Sequence, residues 1–274
     1  MAAAQAATPP VTAPRRGADL NADLGESFGP YRYGADEELL PLLSSANIAC
    51  GFRAGDPSVM RRTVALARQH GVAVGAHVGF PDLLGFGRRR LQASPAQVMD
   101  YVTYQVGALQ AFLRAEGVLL HHVKPHGALY MMALEDGDLA RAVAEATLAA
   151  CEDLQVYTIP GSAMDDAATR LGLQVVPELF ADRGYHADGS VKMFDWTLAE
   201  AGGTAAAMGQ RVLRALQQGT VAALGGGEAR VEAETVCVHS DTPGAPEIAR
   251  AIRQALAAAG IAVRPCPKQL RTPP

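Results

Sequence analysis

From Ala18 onward, short apolar runs alternate with polar, glycine-containing loops and with longer stretches whose apolar residues recur at helical spacing. That alternation is the pattern of βα units in a parallel sheet. It predicts strands at residues 18–24, 47–50, 72–76, 121–124, 156–160, 175–180 and 236–239. Helices are predicted at 58–69, 94–116, 138–154, 164–171, 205–218 and 246–259. Ser94 followed by Pro95 gives an N-cap and a proline at the first helical position, with Gly117 as the stop; Ser58 and Gly71 frame an earlier helix in the same way. No linker rich in Pro, Gly or Ser divides the units, which favours one α/β barrel over two domains and leaves an open doubly wound sheet as the alternative. Residues 188–204, interrupted by Gly189, Gly202 and Gly203, read as a long loop or lid.

Polar residues gather where these strands end. Asp19, Asn21, Asp23 and Glu26 lie on or after the first strand, Asn47 and Arg53 around the second, and His77 after the third. Lys124 and His126 follow, then Glu178, Asp182 and Arg183, then His239 and Asp241. In a parallel barrel the carboxyl ends of the strands share one face, so residues far apart in sequence are expected to meet in one pocket there.

Asp19, Asn21 and Asp23 repeat at the strand period of two and so point to one side. Placed in a barrel lumen they need a ligand, an ion or a hydrogen-bond network to offset desolvation; on a solvated edge strand they need nothing. Lys124 and His126 are separated by Pro125, which restricts how far the two side chains drift apart. An ammonium and an imidazole held together can bind an anion and move a proton. Of His121 and His122, alternation lets at most one face the lumen, and neither is assigned a role. Arg88, Arg89 and Arg90 follow a stretch of glycines and aromatics; such a run suits carboxylate or phosphate recognition, or is simply a solvated turn.

Composition narrows the partners. The chain has 274 residues, 49% of them hydrophobic, a formal net charge of -4 and a pI near 6.0. No basic run could neutralise several phosphates, which argues against nucleic acid. Cys50, Cys151, Cys237 and Cys266 form no short-spaced zinc cluster, and Cys50 reads as a small buried thiol; a reduced, cytoplasmic protein is expected. The Ala/Pro-rich residues 1–17 lack an apolar core for a signal peptide and read as a disordered tail before a single domain at 18–265, with a second tail at 266–274. No run reaches the ~18 apolar residues of a membrane span. Gly225, Gly226 and Gly227 lack the Lys-Ser/Thr ending of a P-loop, and neither a GxGxxG fingerprint nor a GxSxG elbow is present.

Five stretches taken in order carry a resemblance. They are Asp19-Leu20-Asn21-Ala22-Asp23-Leu24-Gly25-Glu26, Ser45-Ala46-Asn47-Ile48-Ala49-Cys50-Gly51-Phe52, Gly85-Phe86-Gly87-Arg88-Arg89, His122-Val123-Lys124-Pro125-His126-Gly127, and Cys237-Val238-His239-Ser240-Asp241-Thr242-Pro243-Gly244. Together the series resembles that of the LamB/YcsF family. The resemblance implies a distorted, seven-stranded (β/α) TIM-like barrel related to glycoside hydrolase and deacetylase barrels. It also implies a role as the A subunit of a three-part, ATP-hydrolysing 5-oxoprolinase that opens the lactam of 5-oxoproline to L-glutamate. ATP would then contact this chain or one of its two partners, the B and C subunits.

In that scheme Asp23 or Glu26 positions or deprotonates water, His77 and His126 carry protons, and Lys124 stabilises charge on the lactam oxygen or phosphate. Arg88 or Arg89 holds the substrate carboxylate, and Asp241 with His239 completes the rim. Asn21, Asn47 and Arg53 are further substrate-binding candidates, and no metal ligands are assigned. The chain departs from the family pattern at Arg53, where a histidine is usual and where arginine can neither ligate a metal nor shuttle a proton at neutral pH. It departs again at Lys192-Met193-Phe194-Asp195, which replaces a Pro-Arg element. Two other readings compete: a metal-dependent, deacetylase-like hydrolase with Asp23, His77 and His126 as ligands, and a non-catalytic structural subunit.

Overall fold

The apolar runs become seven parallel strands that close on themselves: β1 (Gly17–Leu24), β2 (Ser45–Ala49), β3 (Ala73–Val78), β4 (Leu120–Pro125), β5 (Gln155–Thr158), β6 (Gln174–Phe180) and β7 (Thr235–His239). They pair in chain order, and β7 returns to pair with β1, which rules out the open sheet. The structure, a computed structural model, describes residues 16–268. Residues 1–15 and 269–274, most of the two expected tails, lie outside the described residues. Strand β1 begins at Gly17, and residues 266–268 are tied to the barrel floor: the Cys266 carbonyl accepts from Gln155, and Lys268 Nζ donates to the Leu120 carbonyl.

Helices α1 (Pro57–Gln69), α2 (Pro95–Glu116), α3 (Gly127–Glu135), α4 (Gly137–Ala150), α5 (Ala163–Arg170), α6 (Ala205–Gln218) and α7 (Ala245–Ala258) accompany the strands. Ser94 caps α2 in a full capping box with Gln97, and Gly117 ends it in the left-handed conformation, as the sequence predicts. For α1 the cap is Asp56 rather than Ser58; its carboxylate accepts from the Ser58 and Val59 amides, with Pro57 at the first position. Helix α3 is absent from the sequence-based prediction because GALYMMALE is nearly all apolar and shows no amphipathic period. The expected loop at 188–204 also holds structure, namely one strand of the pair Gly184–Tyr185 and Val191–Lys192 and a 3-10 turn at Leu198–Ala201. Among the described residues no helix is long and apolar enough to cross a membrane.

Strand alternation sorts β1 into two faces. Leu20, Ala22 and Leu24 are fully buried in the apolar layer shared with the helices, where each leucine contributes about 1.5–3 kcal/mol. Asp19, Asn21 and Asp23 are buried too, which overturns the edge-strand alternative. Their desolvation is offset by partners: Asp19 accepts from Ser44, Ser45, Tyr157 and Thr235, and Asn21 donates to Thr235 and accepts from Asn47. His122 is the histidine of its pair that turns inward; its Nε2 lies 2.6 Å from Asn47 Oδ1, and its ring stacks on Tyr157. That ring fills the space where a side chain on residue 75 would stand, since a Cβ there would collide with His122 Nε2, and so the position is glycine.

Candidate active site at the carboxyl ends of the strands

Register fixes the heights of the functional side chains. Asp23 pairs level with His239 on one side and Asn47 on the other, and His77 pairs level with Lys124. Above this layer a cavity of about 180 Å³ opens toward the loops. Asp23, His77, Lys124, His126, His239, Arg88 and Arg183 supply its polar wall; Tyr130, Phe180, Met193, Phe194 and Trp196 supply the apolar one.

Lys124 is the central cation. Its buried ammonium lies 3.0 Å from Asp23 Oδ1, 2.8 Å from Glu178 Oε1 and 3.1 Å from Cys237 Sγ. Burial would lower its pKa, yet Asp23, Cys237 and Glu178 outweigh that and hold it well above the usual lysine range. Burial would likewise raise the Asp23 carboxyl, but His77 and Lys124 hold it well below the usual range. Asp23 is therefore ionised. Glu26 is the carboxyl suited to hold a proton, because burial raises it to about 7 against the pull of Arg53.

The two inner histidines are fixed by backbone carbonyls. His77 Nδ1 lies 3.0 Å from the Lys124 carbonyl oxygen, and His126 Nε2 lies 2.8 Å from that of Phe86. Phe86 presents its carbonyl from a left-handed conformation, φ 54, which costs a bulky residue about 1–3 kcal/mol. Gly127, next to His126, also has positive φ, and a Cβ there would come within 2.7 Å of the Gly87 carbonyl oxygen. Burial is the largest influence on both imidazoles; it lowers His77 to about 4 and holds His126 well below the usual range. Both are neutral at pH 7.

His239 is held differently. Its Nδ1 lies 3.0 Å from Asp182 Oδ1, and Asp182 is braced by Thr242 and Arg183. Nε2 is thereby turned to the cavity, 3.8 Å from Asp23 Oδ2. Arg183 has a buried Nε without a hydrogen-bond partner, and its guanidinium lies 3.8 Å from the centre of the Trp196 ring.

Of the residues singled out from sequence, Asp23, His77, Lys124, His126, His239 and Arg88 line the cavity. Asp241 sits one step outside, 2.6 Å from Arg88 Nη2 and accepting from the Tyr33 hydroxyl. Glu26 and Arg53 form a buried ion pair beside the cluster at 2.6 Å, Asn21 lies a layer below Asp23, and Asn47, level with Asp23, donates to both Asn21 and Asp23 without lining the cavity. Arg89 does not join them: its largely exposed side chain pairs with Asp82 in its own turn. Sequence reasoning left Tyr130, Phe180 and Trp196 unassigned, and it noted Glu178, Asp182 and Arg183 only by their place at a strand end. Trp196, the chain's single tryptophan, was a signal that could have marked this stretch as cavity wall.

Among the described residues, Asp23, Glu26, His77 and His126 bring potential metal-ligand atoms within 4.8 Å of one another, and Asp23, Cys237 and His239 form a second such group.

The chain is similar to known proteins over nearly its whole length. It is 52% identical over 255 residues to the A subunit of a 5-oxoprolinase from Symbiobacterium thermophilum, covering 92% of this chain and 97% of that one. It is 48% identical to the Bacillus subtilis protein of the same name, over 93% and 98% of the two chains. The crystal structure of a lactam utilization protein from Thermus thermophilus superposes with a TM-score of 0.84 at 49% identity, covering 90% of this chain and 99% of that one. With the LamB/YcsF family model matching residues 18–271, the chain belongs to the LamB/YcsF family.

Proposed function

We propose that the protein is the A subunit of an ATP-dependent 5-oxoprolinase, a hydrolase that opens 5-oxo-L-proline to L-glutamate together with two other subunits. The observation that carries this reading is the Lys124 ammonium held between Asp23 and Glu178 on the floor of a small cavity whose wall carries Arg88 and Arg183. The names of the relatives, a 5-oxoprolinase component and a lactam utilization protein, support it.

An unstrained lactam resists hydrolysis, so coupling to ATP supplies an activated intermediate. Phosphoryl transfer to the lactam oxygen releases ADP and makes the ring carbon electrophilic. Water adds to that carbon, the ring C–N bond breaks with a proton passing to nitrogen, and a second water cleaves the resulting acyl phosphate to carboxylate and phosphate. Lys124 is placed to stabilise charge on the lactam and phosphate oxygens. His239, oriented by Asp182, is the base that takes the proton of the attacking water. Arg88 and Arg183 bind the substrate carboxylate, while Tyr130, Phe180 and Trp196 pack on the ring.

Tyr31, Leu83, Leu84 and Phe194 are exposed on loops that follow β1, β3 and β6, on the same face as the cavity. We assign that rim to the partner subunits, which bring or share the ATP site. Dependence on ATP puts the complex in the cytoplasm. The test is reconstitution: the purified chain, mixed with its two partner subunits, ATP and 5-oxoproline, should release glutamate and phosphate in equal amounts. A folded, complete mixture that releases neither refutes the assignment.

A further inference from the structure

The protons around Asp23 do not suffice for the lone pairs that meet there. His77 Nδ1 and His126 Nε2 each face a backbone carbonyl, which only accepts, so those nitrogens carry the ring protons. In the neutral rings, His77 Nε2 and His126 Nδ1 are then bare. They nonetheless lie 3.1 Å apart, and His77 Nε2 lies 3.2 Å from Asp23 Oδ2. The donors that reach Asp23, from Asn47 and Lys124, go to the other oxygen, Oδ1. Three acceptors therefore converge with no hydrogen between them, an arrangement that is repulsive unless a cation lies among them.

We propose that Asp23, His77 and His126 form a binding site for a divalent transition-metal ion of the zinc class. Ligands about 2.0–2.2 Å from such an ion stand roughly 2.8–3.6 Å from one another, and the 3.1 and 3.2 Å spacings fall in that range. The carbonyls of Lys124 and Phe86 fix the ring orientations from behind, as outer partners of metal-bound histidines do. Glu26 is committed to Arg53 and is left out of the ligand set. All three ligands line the cavity, so the ion keeps an open side where a substrate oxygen or water can bind. The site extends the function proposed above but does not depend on the identity of the substrate.

The test needs no turnover. The full-length chain, stripped with chelator, is titrated with Co2+, whose visible absorption reports its ligands, and Zn2+ is then added as competitor. One equivalent should bind with a ligand-field band and be displaced by zinc. His77→Gln and His126→Gln should each weaken binding roughly tenfold or more, while Arg89→Ala binds as the parent does. Nitrogen-15 spectra of the unmutated protein guard against misfolded variants: added Zn2+ should shift His77 Nε2 and His126 Nδ1 and leave His121 unmoved. Absence of saturable binding, binding indifferent to both substitutions, or a metal-free spectrum showing His77 as imidazolium would each overturn the proposal.

Discussion

His239 and Asp182 form a buried dyad in which imidazole Nδ1 sits 3.0 Å from Oδ1 and 3.2 Å from Oδ2 of the carboxylate. A carboxylate only accepts, so Nδ1 carries a proton, and Nε2 is left facing the cavity. The Asp182 carboxyl stays ionised, since burial would raise it but His239 and Arg183 hold it well below the usual range. His239→Ala is expected to lower kcat of the reconstituted enzyme about 10²–10⁴-fold, with KM changed little. Asp182→Asn should do nearly as much by releasing the tautomer. Steady-state kinetics with both variants decide it; a His239→Ala enzyme within threefold of the parent contradicts the role.

The arginines should separate. Arg88→Ala and Arg183→Ala remove cations from the cavity wall and are expected to raise KM for 5-oxoproline roughly tenfold or more. Arg89→Ala breaks only the pair with Asp82 in its turn and should leave KM unchanged. An Arg89 effect equal to that of Arg88 would place the carboxylate elsewhere.

Glu26 gives a pH signature in stability. Its pKa is raised from the ordinary 4.5 to about 7 by burial, so between those values the folded state holds a proton that the unfolded chain has lost. Stability from this group is complete below about pH 4.5 and lost as pH rises toward 7, on the order of 3 kcal/mol across the window. Denaturation midpoints at pH 5 and pH 8 should differ less in Glu26→Gln than in the parent. Equal differences would show that another group sets the slope.

The cysteines provide a check on burial. Cys50, Cys237 and Cys266 are buried, Cys151 is exposed, and burial pushes the Cys50 thiol up to about 12. A thiol reagent at pH 8 should modify one cysteine in the native protein and four after denaturation. Rapid native modification of Cys50 would mean that the wall beside Arg53 opens.

Most of the barrel was legible because strand and helix periods leave distinct patterns, and because β1 alternates leucine or alanine with Asp19, Asn21 and Asp23 so regularly. Helix α3 was not, since an all-apolar segment has no face to reveal. For the site, chain position identified which residues stand at strand ends but not which way they turn. Arg88 and Arg89 are neighbours of the same chemistry, yet one lines the cavity and the other pairs with Asp82. His239 was expected to bind substrate; the proposed role as a base rests on its tie to Asp182, 57 positions away. The Lys124 ion pairs reach 101 residues back to Asp23 and as far as Glu178, and no local pattern encodes such distances.

In the proposed reaction Lys124, held between Asp23 and Glu178, is the group on which lactam chemistry depends. Its part is read by measuring glutamate formed from 5-oxoproline when Lys124→Met replaces the parent chain in the three-component mixture, with circular dichroism and assembly checked alongside. The substitution leaves two buried carboxylates without their cation and should cost about 3–5 kcal/mol of stability. The variant is nonetheless expected to assemble when assayed well below its melting temperature, and to form glutamate at least about 10²-fold more slowly. A folded, assembled Lys124→Met complex that turns over 5-oxoproline at the parent rate would show that the ammonium has no part in the reaction.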